Sequence, residues 1–180
     1  WAGPGGWRRH HATDAASLAA GLEILIDLHR RRWAADGEAG AFSSRRFRAF
    51  HEAAASEALA AGTLDLNWIA VAGEPVAVHY SLIDGEAVRF YQCGRKPDVP
   101  RQVRLGIFML ILSIKDAIAR GSTEFDFLGG EAPYKSLFAT HTRTLTRVRA
   151  ARWSAREGVF QTLKAVRRVG RQLIPANAPL

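Results

Sequence analysis

Cysteine is nearly absent from this chain: Cys93 stands alone, so no disulfide can form within it. No cysteine and histidine residues fall at zinc-site spacing, and no metal is expected. A single-cysteine chain fits a reducing compartment, so the expectation is cytoplasmic. Long apolar runs are missing too. The longest, Ile107 to Ile114, holds a serine and is far too short to span a bilayer. Lysine is scarce, with four residues, while arginine is plentiful. The first residue is Trp1, with no charged-then-apolar leader, as in a piece of a longer polypeptide.

What is present suits one soluble domain. The chain has 180 residues, 48% apolar and 23% charged, enough to bury a core without metal or disulfide. The net charge of +8 suggests nucleic acid until its distribution is examined. Residues 1–140 balance, with 16 basic and 16 acidic side chains, whereas 141–180 carry nine basic residues against Glu157 alone. The excess belongs to a tail, and the core has no basic footprint.

Gly3-Pro4-Gly5-Gly6 breaks regular structure, so residues 1–12 read as a linker or tail. Thr13 or Asp14 then caps a helix carrying Leu18, Leu22, Leu25, Leu28 and Trp33 at helical spacing up to Gly37. A second helix starts at Ser43 or Ser44 and stops at Gly62. The period next falls to two. Leu64, Leu66, Trp68 and Ala70 alternate with Asp65, Asn67, Ile69 and Val71. In the following run Val76, Val78, Tyr80 and Leu82 share one face, and Ala77, His79, Ser81 and Ile83 the other. Asp84-Gly85 marks a tight hairpin before a third run, Glu86 to Cys93.

Pro97 and Pro100 bracket a loop. From about Val103 to Gly121 an apolar helix is predicted, followed by a short strand from Glu124 to Leu128. Strand, helix, strand implies parallel pairing through a right-handed crossover. Ala132 to Ala139 suits a short helix, Thr140 to Arg152 a closing strand or hairpin, and Ala155 to Leu173 a basic amphipathic helix. That helix either packs on its own domain or a partner, or lies on an anionic membrane surface.

The fold class is therefore α/β: an antiparallel meander, a crossover helix, a parallel strand and flanking helices. The element order resembles the GNAT acyltransferase core. Phe90-Tyr91-Gln92-Cys93-Gly94 and the run from Glu124 through Gly129-Gly130 to Tyr134-Lys135 resemble its CelD-like and FemAB-like branch, as does Leu28 to Trp33. The resemblance spans about residues 16–152, giving a layout of 1–12 linker, 13–152 acyltransferase domain, and 153–180 helix and tail.

The resemblance implies an acetyl-CoA or other acyl-CoA donor, or an aminoacyl donor carried on tRNA, the one route by which nucleic acid would enter. It implies an amine or hydroxyl acceptor on a cell-envelope or polysaccharide precursor. A second GNAT-like half upstream is a further implied partner. The donor pyrophosphate would sit at the start of the crossover helix, where free amides and the helix dipole favour an anion. Arg101, Arg104, Leu105 and Gly106 occupy that phosphate pattern, with Arg104 where the pattern has its first glycine. The competing reading is a non-catalytic recognition or assembly module that has kept the fold and lost the donor.

Acyl transfer needs a base for the nucleophile, stabilisation of the oxyanion and a proton for the leaving group. Tyr134 resembles the tyrosine that protonates the leaving thiolate; otherwise it is a half-buried tyrosine at a helix–sheet junction. Lys135 is either a cation for an oxyanion or anionic substrate, or an exposed helix residue. Asp126, facing away from Phe125 and Phe127, is either a general base or an arginine partner at the sheet end. His79 is either a base or a packed, hydrogen-bonded histidine. Gln92 and Glu131 are candidates for binding substrate, Glu131 alternatively for capping the next helix. Cys93 reads as a small buried residue, because no histidine is placed to activate it.

Overall fold

The computed structural model describes residues 6–100, 102–130, 132–146, 148, 150–152, 154, 157–160 and 162. The chain divides into two compact units, residues 1–140 and 141–180.

In the first unit, helix α1 (Ala15–Ala35) starts in a capping box. Asp14 accepts the Ser17 amide at 2.7 Å, and the Ser17 hydroxyl accepts the Asp14 amide at 3.0 Å. Helix α2 (Arg45–Ala60) is capped by Ser44, and the chain leaves it through Gly62 at φ +69°. Three strands follow as expected: β2 (Leu64–Val71), β3 (Glu74–Asp84) and β4 (Ala87–Arg95). Helix α3 (Leu105–Ala119) then crosses to β5 (Glu124–Asp126), which runs parallel to β4.

The reading of residues 1–12 as a linker is corrected. Trp7–His11 forms strand β1, antiparallel to β2, and the sheet order is β1-β2-β3-β4-β5. Its support is non-local, which a linear reading cannot register. Arg9 donates to Asn67 Oδ1 at 2.9 and 3.1 Å and meets Asp116 at 2.7 Å. Trp7 sets its ring edge-on to Phe108, and His10 stacks on Trp68.

The sheet is covered on both faces. Leu18, Leu22, Leu25 and Leu28 of α1 bury against Leu66, Trp68, Val78 and Tyr80. On the other face Ile69, Val76 and Ala77 meet Leu105 and Met109 of α3. Each fully buried leucine contributes roughly 1.5–3 kcal/mol of transfer free energy. Val76 lies opposite to the face its alternation predicts. The register slips there, with Ile69 opposite Ala77 but Ala70 opposite Pro75, so Val76 is the extra residue of a bulge.

Two glycines let α1 approach closely. A Cβ on Gly21 would come within 2.9 Å of Leu66 Cδ2, and one on Gly94 within 2.8 Å of the His29 amide nitrogen and Leu28 Cβ. The end of β4 is thereby pressed against the end of α1.

The short helix expected over 132–139 is a single 3-10 turn, Lys135–Leu137. In the second unit, residues 157–160 are helical; the expected final helix otherwise lies largely outside the described residues. The closing strand expected over 140–152 is absent among the described residues there. Leu145 and Val148 are strongly exposed, so their threonine- and valine-rich alternation has no buried face to form. Among the described residues no helix is long and apolar enough to cross a membrane.

Candidate active site

The site arises where the sheet comes apart. Strands β4 and β5 pair over three positions only, ending at Arg89 opposite Asp126, although β4 continues to Arg95. Beyond that point β4 has no strand partner on the β5 side among the described residues. A second irregularity sits beside the gap: Tyr80 is opposite Gln92 and Ser81 opposite Phe90, leaving Tyr91 as a bulge. Bulges bend a strand and re-aim its side chains. Phe90 packs its ring on buried His79 on the α3 side, while the Tyr91 hydroxyl lies 3.2 Å from His51 Nε2 on the α2 side.

The gap opens into a cleft of about 450 Å³. Its walls include Cys93 on β4, Arg104, Gly106 and Ile107 at the start of α3, Tyr134 after β5, and Arg32 from α1. Arg104 is the exposed N-cap of α3 and makes no side-chain cap bond. Among the described residues the amides of Gly106 and Ile107 have no acceptor, and a Cβ added to Gly106 would meet nothing within 4 Å. These are donors at a helix start facing open space, the arrangement that receives a phosphate.

Tyr134 is half buried, and its hydroxyl titrates above the usual range. Burial is the main cause, nearby Cys93 adds to it, and the Arg32 charge opposes it. Burial likewise pushes the Cys93 thiol upward, again against Arg32, so it stays a thiol rather than a nucleophilic thiolate. Tyr134, Cys93 and Arg32 thus form one electrostatic group at the open edge of β4.

Other candidates have different work. The Lys135 ammonium donates to the carbonyls of Leu128, Gly129 and Gly130 at 2.9–3.1 Å. All three donors are used to clamp the loop after β5, and Lys135 does not line the cleft. Asp126 meets Arg89 at 3.1 Å and accepts the Leu128 amide at 2.7 Å, which holds Leu128 at φ +56°. Of its two readings, the arginine partner at the sheet end is the one the geometry favours.

His79 touches the cleft but lies beneath its floor, 2% exposed and 3.1 Å from Ser113 Oγ. Burial lowers its pKa to about 3, so it is neutral and a poor base at physiological pH. Its burial and its contact with Ser113 favour the packed, hydrogen-bonded alternative. Gln92 does not line the cleft, whereas Leu105 does. Arg101 and Glu131 lie outside the described residues. Sequence reasoning did not select Arg32, whose position at the last turn of α1 carries no local mark of function.

A family model described as an acetyltransferase (GNAT) domain matches residues 3–136. The chain belongs to the GNAT acetyltransferase family. Solved GNAT structures share its fold at low identity. A predicted acetyltransferase from Clostridium acetobutylicum, solved with acetyl-CoA, has a TM-score of 0.60 at 13% identity, covering 79% of this chain and 96% of its own. A GCN5-related N-acetyltransferase from Ralstonia eutropha has a TM-score of 0.60 at 13% identity, covering 81% and 100%. An aminoglycoside acetyltransferase from an uncultured soil metagenomic sample, in complex with sisomicin, has a TM-score of 0.57 at 13% identity, covering 82% and 97%. No curated protein matches the chain in sequence. In a GNAT domain, the parted strands and the open start of the crossover helix lie where the resemblance places the donor.

Proposed function

We propose that this GNAT domain transfers an acyl group from acyl-CoA, acetyl-CoA foremost, to an amine or hydroxyl, with Tyr134 as the general acid. Acyl-CoA supplies an acyl group activated on sulfur. The amides of Gly106 and Ile107, with Arg104 beside them, hold the pyrophosphate. The acyl C–S bond breaks, a C–N or C–O bond forms, and the acceptor gives up a proton to solvent. Tyr134 passes its hydroxyl proton to the departing sulfur and is reprotonated from water. Its raised pKa keeps that proton available across neutral pH.

The observation that carries this reading is the gap between β4 and β5 beyond Arg89 and Asp126, opening over unpaired amides with Tyr134 on its wall. The non-catalytic alternative rested on Arg104, which is exposed and leaves Gly106 open. A CelD-like or FemAB-like assignment, with an envelope or polysaccharide precursor as acceptor, rests on the strings around Phe90 and Glu124 to Lys135. Arg101 and Glu131 keep the donor and acceptor roles implied by that resemblance. The test is thiol release from acetyl-CoA with a panel of amines and sugars. Turnover that falls about 100-fold in Tyr134→Phe supports the proposal; unchanged turnover removes Tyr134 from it.

A further inference from the structure

The described lining of the cleft is cationic: Arg32, Arg95, Lys96 and Arg104 belong to it, and among the described residues no aspartate or glutamate does. Three of these cations are accounted for. Lys96 is paired with Glu74 at 2.6 Å and has Asp98 at 4.0 Å. Arg95 and Arg104 flank the loop leading into α3, on the side where the donor's phosphates belong. Arg32 is different.

It arrives from the C-terminal turn of α1, a helix packed on the opposite face of the sheet from α3. It reaches the cleft at the open edge of β4, beside Tyr134 and Cys93. Both of those groups feel its charge, which opposes the upward push of burial on each. The guanidinium lies 5.3 Å from the centre of the Trp33 ring, within cation–π range. Among the described residues it has no carboxylate partner. Of the two acids on its own helix, Glu23 lies nine residues back, and Asp27 is taken by Arg31 at 3.4 Å.

A half-buried guanidinium without a counterion gives up hydration and gets no ion pair in return. Its planar fork suits the two oxygens of a carboxylate. We infer that Arg32 binds a carboxylate on the acceptor, so that this transferase selects anionic acceptors and rejects polycationic ones. This deepens the transferase reading and rests on it. An acceptor anchored at Arg32 presents its nucleophile at the gap from the α1 side, while the donor enters from the α3 side. A polyamine such as an aminoglycoside would meet four cations and, among the described residues, no acid.

The test uses the full chain and matched probes: the free amino acids and the corresponding amino-acid amides. Turnover is followed by thiol release, and binding to CoA-saturated protein by calorimetry. The expected result is a preference for carboxylates of about 10- to 100-fold in KM. Arg32→Met abolishes it, with Tm and the KM for acetyl-CoA unchanged, and Arg32→Lys restores part of it. A preference that survives Arg32→Met overturns the inference, as does an Arg32→Met effect confined to acetyl-CoA. Equal response, or silence from both series in a protein that binds acetyl-CoA, overturns it as well. A protein that does not bind acetyl-CoA contradicts the transferase reading first, and this inference falls with it.

Discussion

Arg89 and Asp126 are opposite each other at the last rung shared by β4 and β5, and their side chains meet at 3.1 Å there. The ion pair therefore closes the sheet at the point where the cleft begins. Arg89 also reaches Asp84 at 2.8 Å, and Asp126 also holds the Leu128 amide. The two residues act as a latch on the gap.

Asp126→Ala removes its bonds to Arg89 and to the Leu128 amide and should cost about 1–2 kcal/mol, most of it from the amide, because the ion pair is partly exposed and screened. Asp126→Asn retains the oxygen that takes the Leu128 amide. It should keep kcat/KM within about threefold, whereas loss of a general base would lower it by about 100-fold or more. Chemical denaturation and steady-state kinetics on both variants separate the roles.

Tyr134→Phe should lower kcat about 100-fold and leave Tm nearly unchanged. Its folded pKa is raised, so the proton is retained through neutrality and lost only above the ordinary tyrosine range. A kcat–pH profile should show no limb from Tyr134 below about pH 10.

Gly94→Ala and Gly106→Ala should behave oppositely. A methyl at Gly94 runs into Leu28 and the backbone of His29, and overpacking of this kind costs about 1–3 kcal/mol. A methyl at Gly106 meets no atom of the protein and favours the helix by up to about 1 kcal/mol. Thermal melts of the two variants check the contrast.

His79 sets a pH dependence of stability. Its folded pKa is about 3 and its unfolded value near 6.5, so between these the unfolded chain binds a proton that the folded chain does not. Stability should therefore fall as pH drops from about 6.5 towards 3. His79→Gln, which can still bond Ser113, should flatten that slope in melts at pH 7 and pH 5.

Most of the fold was legible because its signals are local. The box at Asp14 and Ser17, the Asp84-Gly85 turn and the period-two runs each occupy a few neighbouring residues. Strand β1 was not legible, since Arg9 gains its partners Asn67 and Asp116 only after folding. Val76 changed faces because a bulge resets alternation without leaving a mark in composition.

The site divides the same way. Gly106 and Tyr134 were found through a sequence pattern, and the structure puts both on the cleft. Lys135 and Asp126 stood in the same motif, yet their polar atoms are directed at Leu128, Gly129, Gly130 and Arg89. Residue type announced charge but not its destination. Arg32 was missed because its relevance depends on Gly94, 62 residues away, letting the end of α1 lie against β4.

Titration calorimetry of the full chain with acetyl-CoA tests the central claim most directly. Saturable one-to-one binding in about the micromolar range, weakened at least about tenfold by Gly106→Ala with no loss of Tm, is the predicted result. Absence of heat from the folded protein up to about millimolar acetyl-CoA would contradict the account.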